Sequence, residues 1–182
     1  MEKLGKGKFL ISQPHLEDPN FKRSVILLLE HNKSESVGCI LNQYTEIKIC
    51  DLITNFPDIN SKVSIGGPVQ KNILIYIHKY GNLIPESRKI CHDIYWGGDF
   101  EVLKEAINRS HIKENEIRFF FGYAGWEAEQ LKDEIKDESW VISDMTKKMI
   151  FNQDKNIWKK YIKSMDEKYS IWMNMPDNPN LN

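Results

Sequence analysis

Hydrophobic residues along this chain fall into short runs divided by glycine, proline and polar clusters, a rhythm that predicts more strands than helices. Phe9–Ile11 predicts a first short strand. Val25–Leu29 is unbroken apolar text, as expected of a strand covered on both faces. The polar Asn32–Ser36 and apolar Val37–Leu41 return the chain as a hairpin. Further strands are predicted at Val63–Ile65, Ile73–His78, Lys89–Trp96, Ile117–Tyr123 and Trp140–Ile142. In the phenylalanine-rich strand, alternation sends Phe119 and Phe121 to one side and Phe120 to the other, so both faces should be covered.

Helical spacing occupies four places. Ile49, Leu52, Ile53 and Phe56 predict a helix over Ile47–Phe56 that Pro57 ends. Asp99 is placed to cap a helix whose stripe is Val102, Leu103, Ala106 and Ile107. A third helix follows Trp126, with Ala128, Leu131 and Ile135 inward. A fourth is capped by Asp154 and buries Ile157, Trp158, Tyr161, Ile162 and Met165. Pro14–Phe21 and Tyr80–Pro85 read as loop and turn, and 174–182 as an extended tail. VSIGGPV (Val63–Val69), DIYWGGDFEVL (Asp93–Leu103) and RFFFGYAGWEAEQL (Arg118–Leu131) each suggest a strand discharging into a glycine corner. The elements specify one α/β (α+β) domain over 1–182, its sheet mixed because hairpin-length gaps and helical crossovers both occur.

Composition narrows the function classes. The chain of 182 residues is 41% hydrophobic and 28% charged, an ordinary globular balance. No apolar run approaches the roughly 20 residues of a membrane span, and the charged start lacks a secretory apolar region, so a cytoplasmic protein without a membrane partner is expected. Cys39, Cys50 and Cys91 are far apart without a CxxC, suggesting neither a disulfide framework nor a zinc site. The net charge of −1 provides no overall field toward nucleic acid. Locally, Glu127–Glu138 is acidic and Lys147–Lys168 basic. Oligomeric state is not encoded in any of these features.

Candidate chemistry is sparse. A glycine corner at a helix start can present N–H groups to an anion, or can simply allow a sharp, close-packed turn. None of the three corners matches a nucleotide-binding motif. The five histidines have no metal-ligand spacing, and GYAGW has alanine where a hydrolase elbow would need serine. No catalytic set, metal site or cofactor is predicted. Lys155, Lys159 and Lys163 recur at four-residue intervals, either steering a phosphate backbone or forming a solvated face.

With GKFLISQPHLEDPNFKRSVILLLEH, VGCILN, IGGPVQ, WGGDFEVL and RFFFGYAGWEAEQL followed by SWVI, the chain resembles the YqgE/AlgH family of bacterial proteins. The likeness runs from Gly7 to about Met165. It implies a bent, bifurcated mixed sheet forming a pseudo-barrel with helices outside, and carries no catalytic activity with it. Members bear the label of transcriptional regulator by association. Leu41-Asn42-Gln43-Tyr44 and Glu127-Ala128 depart from the family's usual text.

The expectation is a non-enzymatic regulatory or adaptor protein for a small ligand or protein partner. Its site would join Arg23, Gly66, Gly67, Gly97, Gly98, Tyr123, Gly125 and Trp126, provided the glycine corners share a concavity. Direct DNA contact through Lys155, Lys159 and Lys163 is one alternative. An enzyme using His31 or His92 beside an acid and a nucleophile is another.

Overall fold

Alternation along the strands determines which residues meet. The computed structural model describes residues 3–144, 146–165 and 169–175. In chain order the strands are β1 (Phe9–Ser12), β2 (Val25–His31), β3 (Glu35–Ile40), β4 (Tyr44–Lys48), β5 (Lys62–Ile65), β6 (Val69–His78), β7 (Arg88–Cys91), β8 (Ile94–Trp96), β9 (Ile117–Glu127) and β10 (Trp140–Ser143). The helices are α1 (Ile49–Leu52), α2 (Phe100–Asn108), α3 (Gln130–Lys136), α4 (Lys147–Phe151), α5 (Ile157–Ser164) and α6 (Ser170–Asn174).

The ten strands form one sheet in the order β10-β1-β2-β3-β9-β6-β8-β7, with β4 joined to β5 and β5 to β9. The ladders are antiparallel except for β5 on β9, so the sheet is mixed. One edge of β9 carries two partners in succession. Phe119–Phe121 pair with β5 and Ala124–Glu127 with β3, while Ile40 N–H donates to Gly66 O where those two strands meet. The sheet therefore bifurcates along β9. Its path ends at β10 and β7, which are not paired with one another, so the closure a pseudo-barrel implies is not formed among the described residues.

Three apolar clusters fill the two sides. Val25, Leu27 and Leu29 of β2 join Phe9, Ile11 and Phe120 beneath Ile157, Trp158, Tyr161 and Ile162 of α5. Ile26 and Leu28 point the other way, to Leu131, Trp126 and Trp140. Phe119 faces Leu103, Ala106 and Ile107 of α2, and Phe121 packs at that cluster's margin. The predicted split of the three phenylalanines is therefore found. Asp99 caps α2, accepting from the N–H groups of Glu101 and Val102 at 2.9 and 3.0 Å.

Several local expectations are corrected. Over Ile47–Phe56 only Ile49–Leu52 is helical, and β4 precedes it, because Thr45 Oγ1 and the backbone bond to β5. Lys89–Trp96 is a hairpin, β7–β8, turning at His92 with φ of 39°. GYAGW is not a corner: β9 runs through it to Glu127, with a register break opposite β6 at Gly122 (φ 70°). Before that break even-numbered side chains face α5; after it Tyr123 does, and Ala124 and Trp126 face α3. Ala128 is exposed and precedes α3, whereas Leu131 is buried as expected. Asn156, not Asp154, holds the cap position of α5. Of the predicted tail, Asn174 closes α6, and residues 176–182 lie outside the described residues.

Candidate functional site

The structure brings two of the three glycine pairs together, by backbone contact. A β-carbon on Gly66 would lie 2.2 Å from Gly122 O, and one on Gly67 2.2 Å from the Tyr123 carbonyl. Neighbouring backbone thus fills the space that the missing side chains leave. Gly97 and Gly98 are elsewhere, against Tyr76, His78, Ile84 and Ser87. Tyr76 pairs with Phe119 and Val69 with Tyr123, four residues further along β9 and so roughly 13 Å away. Arg23, with φ of 50°, donates through Nη2 to Met175 O at 2.6 Å and lies 5.3 Å above the Trp158 ring. It and Tyr123 belong to the α5 side of the sheet.

The Gly97 corner is organised by a fully buried imidazole. His78 Nε2 donates to Gly97 O at 2.9 Å and Nδ1 accepts from Tyr80 N–H at 3.1 Å, which fixes the neutral tautomer. The Tyr76 and Tyr95 rings stack against it at centroid separations of 5.8 and 6.2 Å. Burial holds its pKa below 6.5, against the opposing pull of the Gly97 carbonyl. His31 is lowered too, by burial and then by Lys132. An unfolded chain therefore takes up protons near pH 6.5 that the fold refuses, so stability is complete above that value and declines below it. Between about pH 7.5 and pH 5.5 the melting temperature should fall, and His78→Gln should reduce that fall. Equal slopes for both proteins would remove His78 as its source.

His31 and Cys39 are likewise held by the fold. His31 Nδ1 meets Ser36 Oγ at 2.8 Å, across the β2–β3 hairpin, and Ser36 is buried. His92 is exposed at the β7–β8 turn. Cys39 is buried, and burial pushes its thiol pKa up. Among the described residues no three His, Cys, Asp or Glu side chains gather to hold a metal ion, and no helix is long and apolar enough to cross a membrane. Of the lysine row, Lys159 and Lys163 are exposed on α5 and Lys155 precedes it; Lys160 is paired with Asp154.

A cleft opens on the cluster of Leu131, Trp126 and Trp140. Its volume is about 410 Å³, and it lies between the Gln13–Phe21 loop, the end of β9, α3 and the start of β10. Gly125 and Trp126 line it; the other six residues expected at a site do not. Glu134 organises the walls. Its Oε2 accepts from the indole N–H groups of Trp126 at 2.9 Å and Trp140 at 2.7 Å, and its Oε1 accepts from Gln130 at 2.9 Å. Gln130 Oε1 in turn accepts from Glu127 N–H at 3.0 Å. The rings of Phe21, Trp126 and Trp140 pack mutually at centroid separations of 5.7 to 6.2 Å. Glu17 and Asp18 stand exposed at the rim, where Asp18 also caps the turn at Pro19–Phe21. Ser139 supplies the only hydroxyl of the lining.

Sequence reasoning found Gly125 and Trp126 but not Glu134 or Gln130. The available signal was the i, i+4 spacing of Gln130 and Glu134 on one helical face beside two tryptophans.

The AlgH-like family model matches residues 9–170. A UPF0301 protein of Chlorobium limicola is 41% identical over 182 residues, covering 100% of this chain and 97% of that protein. One from Chlorobaculum parvum is 38% identical over the same coverage. Among solved structures, the AlgH protein of Pseudomonas aeruginosa superimposes with a TM-score of 0.74 at 24% identity, covering 97% of this chain and 98% of its own. Protein DIP2367 of Corynebacterium diphtheriae gives 0.77 at 18% identity, covering 96% and 94%. These two structural likenesses concern the fold.

Proposed function

This chain belongs to the AlgH-like family, and we propose that it is a non-enzymatic adaptor or regulatory protein that docks a protein partner in the cleft beside α3. The cleft's pre-organisation carries this reading. Both indoles and Gln130 are fixed by one carboxylate, so little side-chain freedom remains to be lost when a partner enters. Trp126 and Trp140 are buried, and Phe21, half-buried on the wall, offers the kind of aromatic contact that anchors protein recognition. His31 and His78, by contrast, serve hairpin and corner geometry. His31 has a hydroxyl partner in Ser36, but that hydroxyl is itself buried in the β3 ladder.

The test is site-directed photocrosslinking in the native host. A photoreactive residue at Gln130, on the cleft, is compared with one at Asn108, an exposed position at the end of α2, a helix that packs on a different apolar cluster. A discrete adduct confined to position 130 is expected. Matching adducts at both positions, or none at 130, would remove the proposal.

A further inference from the structure

Charge in the cleft is one-sided. Its lining contains Glu17, Asp18 and Glu134 and no Lys, Arg or His. Two other acids on or just before α3 are matched: Lys132 reaches Glu129 at 2.7 Å, and Lys136 reaches Asp133 at 2.6 Å. Glu17 has neither an ion pair nor a hydrogen bond among the described residues. A concave surface with acid at its rim and low-dielectric aromatic walls concentrates a negative potential, which draws a cation inward. The remaining polar groups, the side-chain amides of Gln13 and Gln130 and the Ser139 hydroxyl, can all accept hydrogen bonds.

We propose that the occupant of this cleft is an arginine side chain presented by the partner protein. This rests on the docking reading above and adds the chemistry that would be recognised. A guanidinium offers five donors in a planar fork, enough to span the rim carboxylates and an amide oxygen together. Its aliphatic stem would lie along Leu16 and Phe21, which are both half-buried on the cleft wall. The chain already pairs this group with aromatic rings, placing Arg88 5.1 Å from the centre of Trp96 and Arg23 5.3 Å from that of Trp158.

The indole N–H groups of Trp126 and Trp140 are built-in reporters, because both donate to the Glu134 carboxylate that a cation would approach. The full-length, ¹⁵N-labelled protein is titrated with N-acetyl-arginine amide and, separately, with the uncharged citrulline analogue. Saturable shifts of those two indole signals are expected with arginine alone, while those of Trp96 and Trp158 stay in place. Glu17→Gln with Asp18→Asn should weaken binding about fivefold, since two rim charges of modest individual value are removed. Asparagine retains the turn-capping oxygen at position 18, and an unchanged amide spectrum confirms that the double variant folds.

Equal shifts with citrulline would overturn the cationic assignment and leave the docking reading standing. Indole signals that move with protein concentration instead of probe would put a second copy of the chain in the cleft, and also overturn it. No shift with either probe would do the same, and the crosslinking at position 130 would then decide separately whether the cleft docks anything.

Discussion

Alanine at Gly67 is expected to remove a large part of the protein's stability. Gly67 has φ of 156°, and its new β-carbon would sit 2.2 Å from the carbonyl carbon and oxygen of Tyr123 and 2.4 Å from Ala124 N. Those atoms are main chain of β9, which is hydrogen-bonded on both edges and cannot yield as a flexible side chain could. The cost should exceed about 4 kcal/mol, a large part of the roughly 5–15 kcal/mol that holds a domain together. Gly97→Ala is the control: φ there is 63°, but nothing lies within 4 Å of the added carbon. It should lose only about 1–2 kcal/mol, from backbone strain alone. Urea denaturation followed by circular dichroism measures both. A Gly67→Ala protein as stable as the Gly97→Ala one would refute the packing account.

Arg118→Ala should produce the second large loss, about 3–5 kcal/mol. This guanidinium is buried on β9 and meets no carboxylate among the described residues. It donates to Ile150 O at 2.8 Å, Leu41 O at 2.9 Å and Ser64 Oγ at 3.0 Å, with Phe120 and Tyr44 rings 4.7 and 5.4 Å away. Burial pulls its pKa down to about 10, which leaves it charged at neutral pH. Removing it opens a core cavity and leaves buried acceptors without their donor. Because Ile150 belongs to α4, amide hydrogen exchange should rise first across α4 and α5. Uniformly faster exchange throughout the sheet would argue against Arg118 as the pin for those helices.

The sequence was most legible where burial and periodicity coincide. Val25–Leu29 has no polar interruption, and Leu103, Ala106 and Ile107 follow a cap whose oxygen does bond the helix start. It was least legible where long-range pairing overrides local preference. Ile49, Leu52, Ile53 and Phe56 keep helical spacing, yet Tyr44–Lys48 is drawn into β5 and leaves only one helical turn. Gly122 and Gly125 look like a chain reversal, but the strand runs through both, and at Gly122 the side that each β9 residue faces changes. Half of the candidate site was unreadable for a similar reason. Glu134 is far along the chain from Glu17 and Asp18 and meets them only because β10 pairs back onto β1.

That β1–β10 ladder sets the timetable of folding. Phe9 is matched with Ser143, so one flank of an early-made strand waits until β10 has been made. At ribosomal speeds the wait is on the order of 10 s, during which Leu10 and its neighbours present an open, apolar hydrogen-bonding edge. Such non-local closure places the protein among slow folders, and gives a nascent chain its greatest exposure to self-association just before β10 is synthesised.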